Sequence, residues 1–331
     1  MVIGSMQKLL SASLCFMLCL LLASCTDSSS QKVKTPITIA VSKTPLSAPI
    51  YIAEAKGYFK ESCADVSLVE VIGGKASFEK VISGEAHLAT SSDSVIVFKS
   101  MLRSDFSALA TFVQSDNDVK IFTHENSGIY QGKDLKDKLV GVTRGAAGEY
   151  LLSAFLALDG LTVEDVVIVP LAPDKLPQAL VDKTIDAAVV WEPFGYEIVN
   201  KLGGQAKVLN TRNLYTLTFN LVGKKMQTYN PSSECVLSAL NKSINFIAAN
   251  PSAAQQILKS KLHLDDNFMQ WVWQDYLFKL SLNRSLIMNL ESQARWAIDS
   301  ELVANKNMPN YVSFIDDRLL KQVKPLAVTI D

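Results

Sequence analysis

The sequence has no excess of charge of either sign and few of the residues that build metal centres. Its 331 residues include 32 Lys and Arg against 33 Asp and Glu, a formal charge of −1. Nucleic-acid binding needs a basic excess or stripe that neutralises phosphates, so we expect no nucleic-acid partner. Only five cysteines and three histidines occur. The histidines are scattered and no Cys-x-x-Cys pair is present, so we also expect no metal site and no haem.

Sequence motifs of common catalytic sites are missing as well. No Gly-x-Ser-x-Gly elbow occurs, and the glycine-containing stretch 141–148 lacks the Gly-Lys-Ser/Thr ending of a phosphate-binding loop. Neighbouring carboxylates at 265–266 and 316–317 lie in predicted turns or helix starts, where a solvated surface explains them. The sequence therefore predicts a protein that is not an enzyme and carries no cofactor.

The longest apolar run is too short for a bilayer span, which takes about 20 residues. It covers residues 9–22, follows Lys8 and ends in Leu22-Ala23-Ser24-Cys25, a pattern typical of an export signal. The ending resembles the lipobox of bacterial lipoproteins, in which the cysteine is lipidated. The alternative is an ordinary cleaved signal with an incidental thiol. We expect a lipoprotein signal peptide at 1–25, with palmitate on Cys25, and a flexible linker at 26–36.

Two cysteines, Cys63 and Cys235, remain beyond that leader. In an oxidising compartment they could pair, but one sequence leaves this open.

Short β-rich runs alternate with helix-like segments from residue 37 to residue 222. The pattern has two series of about 90 residues each, which predicts two α/β lobes with mostly parallel sheets. Glycines follow several helix-like segments and predict their ends, as at Gly57 and Gly84. After Gly223 the segments 233–249, 252–262, 266–280 and 285–304 all have helical spacing.

This order predicts a helical C-terminal extension packed on the first lobe. The chain would then cross between the lobes twice, near Asn126 and Asn220. We expect lobe 1 to contain residues 37–125 plus 221–331 and lobe 2 to contain 126–220.

In open α/β sheets a ligand lies at the carboxyl ends of strands, beside helix N-termini. Four loops satisfy this rule, two in each predicted lobe. They supply the following candidate ligand-binding residues: Ser47, Tyr51, Ser91, Ser92, Asp93, Arg144, Gly145, Ala146, Ala147, Trp191 and Glu192.

Each loop also has a structural explanation. Ser91, Ser92 and Asp93 would serve as helix caps without any ligand. Arg144 with the small residues after it suits an anion, although Glu149 in the same turn already complements the helix dipole. Glu192 in a closed cleft would need a donor or a cation opposite it. Residue type alone therefore does not decide the charge of the ligand.

The chain resembles the substrate-binding proteins of ABC importers, in the group for aliphatic sulfonates, taurine, nitrate and thiamine precursors. The resemblance covers nearly all of residues 37–325. It is carried by Ser-Ala-Pro-Ile-Tyr-Ile-Ala at 47–53, Lys-Gly-Tyr-Phe-Lys at 56–60, Ser-Gly-Glu-Ala-His-Leu-Ala at 83–89, Gly-Ile at 128–129, Asp-Leu-Lys at 134–136, Gly-Val at 141–142 with Gly145, and Ala-Val-Val-Trp-Glu-Pro-Phe at 188–194.

The resemblance implies a two-lobed clamshell of the type II periplasmic-binding-protein class. From the resemblance together with the lipobox-like leader, we expect a lipid-anchored monomer in the periplasm or on the outer face of the cytoplasmic membrane. It would bind a small polar solute, such as a sulfonate, nitrate or a pyrimidine, and deliver it to an ABC permease and ATPase. Two departures are Glu-Ser-Cys-Ala at 61–64, where Gly-Leu is usual, and Gly-Ala-Ala-Gly at 145–148, where hydroxyl side chains are frequent.

Two other functions remain open. One is an enzyme of the same fold that makes the thiamine pyrimidine, which the export signal and the lack of clustered His and Cys disfavour. The other is a receptor that presents its ligand to a sensor protein.

Overall fold

The computed structural model describes residues 36–62 and 65–330. Within these residues, twelve strands form two separate sheets. In chain order they are β1 Pro36–Ser42, β2 Asp65–Val71, β3 Leu88–Ser92, β4 Phe106–Ser115, β5 Val119–His124, β6 Leu139–Val142, β7 Val167–Pro170, β8 Ala187–Trp191, β9 Ala206–Val208, β10 Leu217–Lys224, β11 Leu277–Asn283 and β12 Val328–Thr329.

Thirteen α-helices accompany the strands in the same described ranges. They are α1 Ala48–Ala55, α2 Tyr58–Glu61, α3 Gly74–Ser83, α4 Asp93–Ser100, α5 Ala147–Ala157, α6 Leu176–Val181, α7 Phe194–Leu202, α8 Lys225–Thr228, α9 Pro231–Ala249, α10 Pro251–Leu262, α11 Asp266–Val272, α12 Arg284–Asp299 and α13 Arg318–Val323.

The larger sheet has seven strands in the order β12-β11-β4-β10-β3-β1-β2, and the smaller has five in the order β7-β6-β8-β5-β9. Both sheets are mixed, so the prediction of mostly parallel sheets is wrong. Strand β10 runs antiparallel to both of its neighbours, and β5 does the same in the smaller sheet. These two strands enter each sheet directly after the chain has crossed from the other one, which reverses their direction.

The central strands of the larger sheet are buried along almost their whole length, which indicates that both faces of the sheet are covered. All five residues of β3 are buried, and so are nine of the ten residues of β4. Helix ends follow the predicted glycines: α1 stops just before Gly57 and α3 ends at Gly84, with φ of 73° and 83° at these two glycines. A left-handed backbone at these positions favours glycine, which has no Cβ.

The C-terminal part differs from the prediction in one place. The segment 266–280 is not one helix: α11 ends at Val272, and β11 begins at Leu277 and pairs with β4. Leu280 and Leu282 are fully buried on the edge of the larger sheet. This tertiary pairing overrides the local helical spacing. Helix α9 packs on α1, and α12 packs on α4, so the extension lies against the larger sheet as predicted.

The chain passes between the sheets twice. It leaves β4 for β5 through residues 116–118 and returns from β9 to β10 through residues 209–216. Arg212 of the second crossing pairs with Asp116 of the first, and both crossings bond to Asp275, through Arg212 at 2.8 Å and Asn117 at 2.7 Å. Strand β5 therefore belongs to the five-stranded sheet, although the predicted boundary at residue 125 assigns it to the first lobe. The division into two moving lobes itself stays a prediction.

Several expectations fall on residues without a structural description. The signal peptide at 1–25, Cys25 and most of the linker lie outside the described residues, and so does Cys63. Cys235 is disulfide-bonded and nearly buried in α9. Among the described residues, none of the helices has the length and apolar character that a membrane crossing requires.

Candidate functional site

A cavity of about 390 Å³ is lined by residues of both sheets. The seven-stranded side contributes Ser42, Thr44, Leu46, Gly74, Ser92 and Phe219 among others, and the five-stranded side contributes Thr143, Ala146, Ala147, Ala172, Pro173 and Trp191. Most of these side chains are apolar, small or aromatic. A cavity of this size suits a small molecule, held mainly by apolar contact with a few polar groups.

Strand ends and helix starts build the cavity wall. Strands β1, β3 and β8 place their last residues, Ser42, Ser92 and Trp191, in it. Helices α3 and α5 point their first turns at it, and neither has a side chain that caps its N-terminus. The first N–H groups of α3 are consequently open to a ligand, and the helix dipole favours an anionic or electron-rich group there, whereas the first turn of α5 already contains the acid Glu149.

Three contacts connect the two sides of the cavity. Gly73, with φ of 85°, lies so close to Trp191 that a Cβ would be 3.4 Å from the indole ring. Thr44 Oγ1 donates to the Glu192 carbonyl at 3.3 Å. Lys75 Nζ donates to the Arg144 carbonyl at 3.3 Å. The residues Gly73, Gly74 and Lys75 thus form a helix entry, as their sequence suggests, and also a wall of the cavity.

Four of the predicted ligand-binding residues line this cavity, namely Ser92, Ala146, Ala147 and Trp191. Ser92 also caps α4, since its hydroxyl accepts from the Val95 N–H at 3.4 Å. The remaining predicted residues, which are Ser47, Tyr51, Ser91, Asp93, Arg144, Gly145 and Glu192, are not among the lining residues.

Arg144 and Gly145 are bound by Glu149, an acid in the first turn of the helix that follows them, α5. The guanidinium of Arg144 pairs with Glu149, whose second oxygen accepts from the Gly145 N–H at 2.9 Å. Glu149 is nearly fully buried, whereas the Arg144 side chain is 46% exposed. The carboxylate therefore already occupies the position at which the sequence suggested an external anion.

Glu192 also has its counter-ion inside the protein. Its Oε1 accepts from Lys120 Nζ at 2.8 Å and from Trp271 Nε1 at 2.6 Å, and its Oε2 accepts from the Tyr196 N–H at 2.9 Å. Glu192 and Lys120 are both almost inaccessible to solvent. The cation that the sequence required opposite Glu192 is Lys120, so no ligand amine is needed there.

Asp93 connects α4 to the second crossing. This fully buried carboxylate accepts from the Tyr215 hydroxyl, from the Thr218 N–H at 3.3 Å and from Asn289 Nδ2 at 2.6 Å. Burial raises the pKa of Asp93 to about 6, against the opposing effect of the hydrogen bonds from Tyr215 and Thr218. Its contacts are those of a structural anchor beside the cavity.

Ser47, Ser91 and Tyr51 lie behind the cavity wall. The Ser47 hydroxyl donates to the Ser42 carbonyl at 2.8 Å, and that of Ser91 donates to the Gly74 carbonyl at 3.1 Å. Tyr51 is fully buried, and burial together with Glu70 and Glu54 holds its pKa well above the ordinary value. These contacts fix the loops that carry the lining residues.

Sequence reasoning missed several lining residues, among them the acid Asp118 and the apolar Leu217 and Phe219. Asp118 lies in the first crossing, where the polar run Ser-Asp-Asn-Asp at 115–118 follows the end of β4. Extending the rule of strand ends to this loop would have found it. Within the described part of the chain, no group of three or more His, Cys, Asp or Glu could hold a metal ion.

Residues 44–254 match the family model described as NMT1/THI5 like, which is more than half of the chain. The chain belongs to this family. A candidate aliphatic sulfonates-binding protein of Bacillus subtilis is 28% identical over 205 residues, which are 60% of this chain and 61% of that protein. The match thus spans less than two thirds of the relative's length.

Two solved structures show the fold of this NMT1/THI5-like chain. The alkanesulfonate-binding protein SsuA of Xanthomonas axonopodis pv. citri, bound to MOPS, superposes with a TM-score of 0.72 at 17% identity, over 82% of this chain and 96% of that one. The desulfurization enzyme DSZB superposes with a TM-score of 0.62 at 14% identity, over 88% and 99%. The likeness to SsuA confirms the predicted fold class. Since a binding protein and an enzyme share the fold, the likeness does not fix the activity.

Proposed function

We propose that the chain is the solute-binding protein of an ABC importer and works outside the cytoplasm. The observation that carries the proposal is the 390 Å³ cavity, to which both sheets contribute their strand ends. Within the described residues the chain passes between the two sheets only twice, at 116–118 and 209–216. Such an arrangement suits a hinge, with one lobe built on each sheet.

Two kinds of surface in the cavity define the solute. The uncapped first turn of α3 offers backbone N–H groups to a sulfonate, to nitrate or to the ring nitrogens of a pyrimidine. Trp191 and Phe219 offer aromatic faces to the apolar part of the same molecule. The name of the Bacillus relative supports the first of these solute classes.

The mechanism we propose is a population shift. A solute that contacts both lobes stabilises the closed arrangement by its differential affinity for that state. The closed protein then docks on the permease, whose ATPase drives uptake. The solute leaves chemically unchanged, in contrast to an enzyme such as DSZB, and the protein acts as a monomer. A receptor for a sensor protein would use the same cavity, and neighbouring permease and ATPase genes distinguish transport from sensing.

We further propose that a lipid on Cys25 anchors this body to a membrane in the periplasm or to the outer face of the cytoplasmic membrane. The lipobox-like sequence at 22–25 supports the anchor. Labelled palmitate is expected in the wild-type protein and not in Cys25→Ser. Label that persists in the variant contradicts the anchor and leaves the solute-binding proposal intact.

Thermal unfolding with a panel of solutes tests the proposal. Alkanesulfonates, nitrate and aminopyrimidines are each added to the protein. A ligand at a concentration of 100 times its Kd stabilises the folded state by about 2.7 kcal/mol. The variant Ala172→Trp places a large ring at the exposed rim of the cavity and is expected to abolish the shift.

Ala157→Trp is the matched control, because Ala157 is exposed at the end of α5 and away from the cavity. It is expected to keep the wild-type shift. No stabilisation by any member of the panel, or equal stabilisation of Ala172→Trp, would overturn the proposal.

A further inference from the structure

Asp118 is a buried acid in the cavity wall that lacks a complete set of partners. It is 1% exposed and lines the cavity. Its Oδ1 accepts from the Tyr276 hydroxyl at 2.8 Å. Its Oδ2 is buried and has no hydrogen-bond partner among the described residues. Most buried carboxylate oxygens in native proteins are satisfied, so this exception requires an explanation.

The cations near Asp118 already form ion pairs with other carboxylates. Lys120 forms its ion pair with Glu192 at 2.8 Å, and Arg212 forms one with Asp275 at 2.8 Å. The cluster at the first crossing therefore contains four carboxylates, those of Asp116, Asp118, Glu192 and Asp275, against the two cations Lys120 and Arg212. Burial raises the pKa of Asp118 to about 7, the charges of Glu192 and Asp275 act in the same direction, and Lys120 and the Tyr276 hydroxyl oppose it.

The rim of the cavity does not supply the missing cation. Lys75 lines the cavity but is exposed, and its ammonium donates to the Arg144 carbonyl. Glu79 on the same helix lines the cavity as well and pairs with Lys99. The two rim charges are of opposite sign, so they favour neither a cation nor an anion. Oδ2 of Asp118 is thus a buried acceptor in the cavity wall to which a bound solute could donate a hydrogen bond.

We propose that Oδ2 of Asp118 accepts a hydrogen bond from a cationic N–H group of the solute. The solute class is then an amine, amidine or protonated heterocycle with a compact apolar body, in place of a plain alkanesulfonate or nitrate. This inference rests on the proposed solute-binding function and narrows it. A hydrogen bond between charged groups is stronger than one between neutral groups, and it satisfies an atom that is otherwise costly to bury.

The experiment uses two probes of the same ring size and opposite charge. Benzamidine presents a planar cationic N–H group, and benzenesulfonate presents an anion without N–H. Binding of each is measured by titration calorimetry on the wild type, on Asp118→Asn and on Asp116→Asn. Asp116 is the control, since it lies two residues away in the same crossing, is half-buried and is outside the cavity wall.

We expect benzamidine to bind the wild type and Asp116→Asn alike, and to bind Asp118→Asn roughly tenfold or more weakly. Benzamidine stays charged at neutral pH, so its affinity is expected to rise from pH 6 to pH 8 in the wild type, as Asp118 loses its proton. This rise is expected to disappear in Asp118→Asn. Asparagine keeps an oxygen for Tyr276, so the melting temperature of the unliganded variant is expected to be equal to or above that of the wild type.

The results that would contradict the role of Asp118 differ from those that would contradict solute binding. Benzenesulfonate binding without benzamidine binding overturns the role of Asp118 and leaves solute binding intact. Benzamidine binding that is equal in the wild type and in Asp118→Asn also overturns that role. Failure of both probes, together with failure of the solute panel, contradicts the inference and the proposed function together.

Discussion

The buried ion pair of Lys120 and Glu192 shows how single residues organise the region between the two sheets. Lys120 lies in β5, and Glu192 follows the end of β8, its neighbour in the sheet. Each is nearly inaccessible, and Trp271 of α11 donates to the same carboxylate. The pair therefore joins the smaller sheet to the C-terminal extension.

Removal of one partner of this pair is expected to be costly. Lys120→Met leaves Glu192 as an uncompensated buried charge and should lower the free energy of unfolding by about 3–5 kcal/mol. The double variant Lys120→Met/Glu192→Gln should recover part of that loss, since it removes both charges. Urea denaturation measures both values.

Lys207→Met is the control for this prediction. Lys207 lies in β9 of the same sheet and pairs with an exposed acid, Glu125, at 3.4 Å. Its loss should cost less than about 1 kcal/mol. A Lys120→Met variant as stable as this control would show that the buried pair does not hold the region together.

At the scale of elements, the start of α4 combines a structural and a binding role. Ser92 ends β3, caps α4 and lines the cavity. Ser92→Ala is expected to lower the free energy of unfolding by about 1 kcal/mol, because the Val95 N–H loses its acceptor. Ser83→Ala is a suitable comparison: this residue is in the last turn of α3 and does not cap a helix N-terminus. Equal chemical stability of the two variants would contradict the capping role.

Local signals predicted most elements because they depend on neighbours in the chain. Glycines with left-handed backbone end α1 and α3, and apolar runs became strands β1 to β8 within a few residues. Strand β11 was predicted as part of a helix because its pairing with β4 joins residues more than 150 positions apart. Sequence separation also explains why Asp118 was not predicted as a site residue, since its partner Tyr276 is 158 positions away. Loop positions at strand ends were predictable, but the internal partners of Arg144 and Glu192 were not.

In the molecule as a whole, the cavity lies between the two sheets, and the two crossings are the chain segments that connect them. The residues from both sheets that meet at the cavity lie far apart in the sequence, from Ser42 to Phe219. Both crossings are tied to Asp275 at the end of the helical segment that precedes β11. A solute in the cavity is expected to draw the two sheets together about these crossings, and small-angle scattering should then record a smaller radius of gyration on binding.

Native mass spectrometry of the protein with a solute that passes the thermal screen tests whether the cavity binds one intact small molecule. We expect one added mass equal to that of the intact solute in the wild type and in Ala157→Trp. None is expected in Ala172→Trp, and the solute released on denaturation should be chemically unchanged. An added mass that persists in Ala172→Trp, or a released molecule with altered bonds, would contradict the account.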